Sequence, residues 1–86
     1  MSKHRSKPVE IEAVELTPQR LEEWFKNAGR WPNGIEVIYL TSKTVLCRSR
    51  QGVVRADLGD WIIQESDGSG CYPCKPDVFA AKYEPV

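Results

Sequence analysis

Short β-rich segments separated by turn residues fill the middle of this chain, and they constrain its fold more than any other feature. Glycine, serine, threonine and aspartate stand between the segments, which favours tight turns. Successive strands joined by short turns pair antiparallel. The segments are IEVIYL, TVLCRS, VVRA and WIIQE, at residues 35–40, 44–49, 53–56 and 61–65.

A helix is predicted ahead of these strands, over residues 18–28. Thr17 is a suitable N-cap residue, and Pro18 suits the first helical position, where its missing amide hydrogen costs nothing. Apolar residues then recur at the spacing of one helix face, which predicts that this face is buried. They are Leu21, Trp24, Phe25 and Ala28.

Residues 8–16 predict a strand before the helix. Apolar residues alternate with glutamates as far as Ala13, and the phase changes at Val14. We interpret this change as a bulge or the strand's end near Ala13.

The C-terminal part predicts an extended segment followed by a short helix. Prolines in residues 71–76 favour a sheet edge over a central strand. A helix over residues 76–83 is expected to dock through Val78, Phe79 and Tyr83.

These elements predict an α+β fold: a small antiparallel sheet or open barrel in the order β-α-β-β-β-β, with one main helix and a short C-terminal helix. A chain of 86 residues is long enough for one domain. We expect residues 1–7 to be a flexible basic arm and residues 8–86 to be a single α+β domain.

Composition excludes several classes of protein. Twelve basic and twelve acidic residues give zero net charge, so any polyanion site must be a local patch. No apolar run is long enough to span a membrane, and no signal peptide is apparent. The odd number of cysteines, three, also favours the cytoplasm over secretion.

Cys71 and Cys74 form a C-x-x-C, a spacing found in zinc and redox sites. Zinc needs further ligands, and the candidates are Cys47, within a predicted strand, and His4, in the arm. A redox pair normally opens a helix in a thioredoxin-like context, which this segment lacks. We therefore expect ordinary thiols, no metal and no cofactor.

No catalytic constellation emerges from the remaining residues, so we expect a protein that is not an enzyme. Asp57 and Asp60 would suit a carboxylate pair, but aspartates that flank a glycine are typical of a turn. His4 lacks a partner that would make it a general base.

Cations and aromatic residues in the second half of the chain suggest a ligand site. If they share one side, they would hold phosphates and stack on bases, as in a nucleotide or single-stranded nucleic-acid site. The alternative is a solvated hairpin whose arginines balance nearby glutamates. The residues are Arg48, Arg50, Arg55, Trp61, Tyr72 and Lys75.

Three segments of the chain resemble a family of small proteins encoded by tailed bacteriophages and prophages. They are KPVEIEAVEL, GDWII and YPCKPDVFAAKYEPV, at residues 7–16, 59–63 and 72–86. The family pattern usually lacks a cysteine at position 71, and it has glutamine-tryptophan in many members where this chain has Glu15 and Leu16. Lys75 and Asp77 are polar residues of the C-terminal signature, so the resemblance adds Asp77 to the candidate ligand-binding residues.

The resemblance implies a non-enzymatic binding protein in the host cytoplasm, without a cofactor. It would serve host takeover or counter-defence by binding a host protein or by sequestering a small nucleotide signal. The alternatives are a nucleic-acid-binding accessory protein, which implies weak nucleic-acid contact, and a virion or assembly component. No membrane partner is expected. An open edge strand would also favour a homodimer.

Overall fold

The computed structural model describes residues 2–6, 9–27, 29 and 31–85, and the side chains of residues 11–27, 29 and 31–83. This part of the chain forms two helices and eight strands. Neither helix is long and apolar enough to span a membrane. The elements are β1 (Ser2–Ser6), β2 (Val9–Glu15), α1 (Pro18–Lys26), β3 (Ile35–Tyr39), β4 (Thr44–Ser49), β5 (Gly52–Asp57), β6 (Trp61–Gln64), β7 (Cys71–Cys74), α2 (Pro76–Lys82) and β8 (Glu84–Pro85).

The strands form two sheets, and all their pairings are antiparallel. Sheet A has the order β7-β6-β2-β1-β8, and sheet B has the order β3-β4-β5. The predicted α+β class is confirmed. The strands are divided between two sheets, where the sequence predicts one sheet or an open barrel. A tight turn at residues 57–60 directs the chain from sheet B into sheet A; the Asp60 amide donates to the Asp57 carbonyl at 3.1 Å.

Residues 2–6 form strand β1, although their polar composition predicts a flexible arm. The β1 backbone pairs with β2 from Ser2↔Ala13 to Ser6↔Val9, and β8 pairs on its other side. Backbone hydrogen bonds hold a strand in its sheet, so a polar segment can join when neighbouring strands are available. The arm prediction is corrected for these residues, whereas Met1 and Lys7 lie outside the described residues.

Strand β2 is buried on both faces at Ala13 and Val14, which explains the change of phase at Val14. Ala13 pairs with Ile63, and Val14 pairs with Ile62. Cross-strand partners share a face of a sheet. The two pairs belong to separate apolar clusters, one on each face. The register of β2 with β1 and β6 shows no shift, so the strand continues through Ala13 without the predicted bulge.

Helix α1 begins as the sequence predicts. Thr17 has extended backbone angles, and its Oγ1 accepts a hydrogen bond from the Arg20 amide at 3.2 Å. Pro18 is the first helical residue. The cap satisfies one of the amide groups that lack a partner at a helix N-terminus.

The buried face of α1 is narrower than its apolar residues predict. Leu21 and Trp24 are buried, whereas Phe25 is 56% exposed. Successive residues are turned by about 100° around a helix axis, so Phe25 lies about 100° from Trp24, at the margin of the face that Leu21 and Trp24 bury. The prediction that Phe25 is buried is wrong. Ala28, the predicted helix end, lies outside the described residues.

Helix α2 covers one face of sheet A through Phe79. The Phe79 ring stacks on Trp61, with centroids 4.3 Å apart and planes at 2°, and it contacts Tyr83 at 5.1 Å. Val78 is 50% exposed. The predicted docking of this helix therefore depends on Phe79 and Tyr83, without Val78.

Glycines allow the two sheets to approach closely where β4 meets β7. A Cβ added to Gly70 would lie 1.9 Å from the Arg48 carbonyl oxygen, and one added to Gly34 would lie 2.5 Å from the Cys71 amide nitrogen. The Arg48 amide also donates to the Gly34 carbonyl at 2.7 Å. Larger residues would push these backbones apart.

Candidate functional site

The residues predicted to form one ligand site do not all share one place, although Arg55 and Lys75 both approach the Asp57 carboxylate. Arg48 and Arg55 extend from the outer face of sheet B, because their cross-strand register places them opposite the buried face that contains Cys47 and Ala56. Arg50 lies in the turn between β4 and β5. The others belong to sheet A or to α2 and its cap: Trp61, Tyr72, Lys75 and Asp77.

The two outer arginines of sheet B are each paired with a carboxylate. Arg48 Nη1 lies 3.1 Å from Glu36 Oε1, and Arg55 Nε lies 3.3 Å from Asp57 Oδ1. All four side chains are at least 40% exposed, so the pairs contribute little to stability. They do neutralise the local charge, which agrees with the alternative of a solvated, charge-balanced hairpin.

Arg50 lies between two carboxylates. Its Nε is 2.9 Å from Glu65 Oε2, and its Nη2 is 3.0 Å from Asp67 Oδ2. Hydrogen bonds from Ser69 lower the pKa of Asp67 from 3.8 to about 2, and the charge of Arg50 adds to the effect. Two acids against one base make this cluster net negative.

Lys75 is bound to the turn that connects the two sheets. Its Nζ lies 3.2 Å from both carboxylate oxygens of Asp60 and 3.6 Å from Asp57. The Asp60 carboxylate is buried and also accepts from the Asp57 amide at 3.0 Å. These contacts raise the pKa of Lys75, primarily through Asp60. Asp77 lies exposed in the first turn of α2, where a carboxylate suits the helix dipole.

Both predicted aromatic residues pack against sheet A or α2. Trp61 is covered by the stacked Phe79 ring, so that face of the indole is closed to a base. Tyr72 is half-buried, and burial together with a hydrogen bond to Tyr83 raises the pKa of its hydroxyl. The rings therefore contribute to packing, and Tyr72 also lines a cavity.

A groove of about 410 Å³ brings two of the predicted residues together. It lies between the β4–β5 turn and strand β7, with Arg50 and Tyr72 among its walls. Because Glu65 also lines it, the groove offers an anion one cation that is already paired. The remaining lining residues are Ser49, Gln51, Val54 and Pro73.

The C-x-x-C spacing places Cys71 and Cys74 on opposite faces of β7. Cys71 pairs with Gln64 and Cys74 with Trp61, in an uninterrupted register. Side chains alternate along a strand, so residues three apart point in opposite directions. The two thiols therefore cannot share a metal ion or a disulfide in this conformation. Within the side chains that the structure describes, no group of histidine, cysteine and acidic residues could hold a metal ion.

Cys71 instead lies in the same apolar cluster as Cys47, and both side chains are fully buried there. Interaction with the Cys71 thiol and burial raise the pKa of Cys47. Interaction with the Cys47 thiol, assisted by the charge of Arg48, lowers the pKa of Cys71. The two buried cysteines of this cluster therefore lie on β4 and β7, far apart in the sequence.

Exposed apolar residues gather around β3, at a place the sequence does not predict as a site. We define the β3 surface as Phe25, Val37, Tyr39 and Leu40, whose exposure ranges from 37% to 56%. A groove of about 530 Å³ lies there. Its lining comprises Phe25, Ile38, Tyr39, Leu40, Thr41 and Ser42.

The composition of β3 contains a signal for this surface. A half-buried strand alternates apolar and polar residues, whereas IEVIYL has a single polar residue, Glu36. The structure buries Ile35 and leaves Val37 and Tyr39 exposed. A register shift between Ile35 and Val37 adds to the exposed apolar area, because it interrupts the alternation.

Comparison with protein-family models gave no match, and comparisons with curated proteins and with solved structures gave no significant match. The resemblance to phage proteins therefore stays a prediction.

Proposed function

We propose that this chain is a small, non-enzymatic, phage-encoded binding protein that acts in the host cytoplasm by occupying a host protein. The β3 surface takes an extended segment of that partner. The observation that carries the proposal is the clustering of exposed apolar side chains around one edge strand. The phage-like segments provide the biological setting, host takeover or counter-defence.

The first element of the binding site is the free edge of sheet B. Strand β3 pairs with β4 and has no second strand beside it within the described part of the chain. An edge strand offers unpaired amide and carbonyl groups to another extended chain. Strand addition uses these groups for affinity and adjacent pockets for specificity.

The second element is the groove at the end of β3. Phe25, Tyr39 and Leu40 line it with apolar surface, and Thr41 and Ser42 add hydroxyl groups. Large exposed apolar patches are uncommon on monomeric proteins and often mark interaction sites. A segment added to β3 would place a large apolar side chain of the partner in this groove.

Charge favours a protein partner over a nucleic acid. The four predicted cations, Arg48, Arg50, Arg55 and Lys75, all lie within ion-pair distance of carboxylates. A nucleic-acid site needs cations that can replace counterions along phosphates. Cations that are already paired with carboxylates, on a chain of zero net charge, are poorly suited to binding phosphates.

The test is capture of a partner from lysate of the bacterial host with the tagged chain and two matched variants. Tyr39→Asp places a charge on the β3 surface, whereas Val78→Asp places one on exposed α2. We expect the wild type and Val78→Asp to capture equal amounts of the same host protein. Tyr39→Asp should capture at least tenfold less of it. Thermal unfolding and gel filtration of all three chains establish that the variants are folded.

Equal capture by Tyr39→Asp and wild type would contradict the proposal. A second copy of the chain is another conceivable occupant of β3. It would appear as a concentration-dependent dimer in gel filtration that Tyr39→Asp dissociates.

Sequestration of a nucleotide signal is a second candidate, favoured by one observation: Arg50 and Tyr72 line the same groove. Calorimetry with cyclic di- and trinucleotides tests it. Binding that Arg50→Gln abolishes and Arg55→Gln preserves would support this candidate, since Arg55 lies on the outer face of sheet B. No detectable heat of binding with any of these nucleotides would contradict this candidate function.

A further inference from the structure

Two fully buried thiols lie against each other at the junction of the two sheets. Cys47 belongs to β4 and Cys71 to β7, and neither has exposed surface. Both belong to the same apolar cluster of buried residues. Neither the proposed binding surface nor the groove beside Arg50 uses them.

The backbones that carry these cysteines approach closely. Gly70 precedes Cys71, and a Cβ on Gly70 would lie 1.9 Å from the carbonyl oxygen of Arg48, the residue after Cys47. A disulfide requires β-carbons separated by roughly 3.5–4.5 Å. The close approach of the two backbones, with both cysteines buried in one cluster, favours such a separation.

We propose that Cys47 and Cys71 are the site of an intramolecular disulfide, formed by exchange with a low-molecular-weight disulfide, that links sheet B to sheet A. The bond crosses between strands that share no backbone pairing in the two sheets. Cys74 is excluded from it because its side chain lies on the opposite face of β7.

The exchange has two steps. The Cys71 thiolate attacks one sulfur of the reagent, which forms a mixed disulfide and releases the other half as a thiolate; this thiolate takes up a proton. Cys47 then loses its proton and attacks the Cys71 sulfur, which releases the second half as a thiol. Two protein thiols are thereby oxidised by two electrons, and one reagent disulfide is reduced to two thiols.

Cys71 is placed first because interaction with the Cys47 thiol and, to a smaller extent, the positive charge of Arg48 favour its thiolate. The thiolate is the reactive form. Because both thiols are buried, the reagent reaches them only when the core opens, so oxidation is slow.

The test treats the native wild-type chain with excess oxidised glutathione, followed by alkylation, intact mass and peptide mapping. Incubation continues until the β4 and β7 amides have exchanged with deuterium in a parallel sample, so that both thiols have been exposed. We expect the protein mass to fall by two hydrogen atoms at this pair, with a peptide that joins Cys47 to Cys71. Cys74 remains free or carries glutathione.

Cys74→Ser is the matched control and should form the same cross-link, whereas Cys71→Ala should form none. Because the cross-link is mapped in the wild type, the result does not depend on the variants folding. Three results would overturn the proposal. They are a cross-link between Cys71 and Cys74, a cross-link between two chains, and the absence of any cross-link at Cys47 and Cys71 after amide exchange is complete.

Discussion

Two phenylalanines of this small protein occupy opposite environments. Phe79 is 4% exposed and lies between Trp61 and Tyr83. Phe25 is 56% exposed and borders the groove beside β3. Burying an aromatic side chain removes a large apolar area from water, so the first stabilises the fold and the second leaves apolar surface for a partner.

Replacement of these residues should therefore have unequal effects. Phe79→Ala leaves a cavity against Trp61 and should reduce the free energy of unfolding by about 3 kcal/mol. Phe25→Ala removes an exposed ring and should change it by less than about 0.5 kcal/mol. Urea unfolding followed by tryptophan fluorescence measures both. Equal destabilisation by the two substitutions would mean that Phe25 contributes to the core.

One carboxylate should also make the free energy of unfolding depend measurably on pH in the acid range. Asp67 has its pKa lowered from 3.8 to about 2 by hydrogen bonds from Ser69 and by Arg50. The unfolded chain therefore binds this proton at higher pH than the folded chain does. The ionised Asp67 side chain therefore stabilises the folded chain at pH values above its ordinary pKa, and this contribution is lost as the pH falls toward 2.

Carbon-detected NMR of the Asp67 side chain should show a titration midpoint near 2. Ser69→Ala removes one of the hydrogen bonds and should move the midpoint upward. A midpoint near 3.8 in the wild type would contradict the described cluster.

At the level of helices and strands, local signals were sufficient for α1 and insufficient for the sheets. Thr17 and Pro18 specify a helix start through contacts within one turn, so the sequence predicts it correctly. The face of Val14 depends on Ile62, a residue far along the chain, and periodicity cannot reveal that both faces of β2 are covered. The cysteine pair is similar, since a C-x-x-C suggests one partner for Cys71 and the meeting of the sheets supplies another.

The junction between β4 and β7 should be intolerant of added volume. Gly70→Ala would place a Cβ 1.9 Å from the Arg48 carbonyl, which requires the backbones to separate. Gly68→Ala meets no atom within 4 Å and suffers only from its positive φ of 77°. We expect the Gly70 variant to lose more than about 3 kcal/mol of stability and the Gly68 variant about 1 kcal/mol. Thermal unfolding compares them, and equal losses would argue against close contact of the sheets.

Across the whole molecule, charge and apolar surface are distributed unequally. The cations that suggest a phosphate site are paired with carboxylates. Four exposed apolar side chains lie around β3, and Val53, Val54, Leu58 and Val78 are exposed elsewhere. The α+β class follows from the sequence because strand and helix patterns are local. The β3 surface follows only in part: its apolar composition is visible in the sequence, but the exposure of Phe25 and Tyr39 depends on how the elements pack. A binding module that uses an edge strand accounts for this distribution.

Hydrogen–deuterium exchange of the chain, alone and bound to the captured host protein, tests this account most directly. Strand addition predicts slower exchange in complex at Ile35–Tyr39 and at Leu40, with exchange in β6 and β7 unchanged. Slower exchange confined to α2, β6 or β7, with β3 unchanged, would contradict the account.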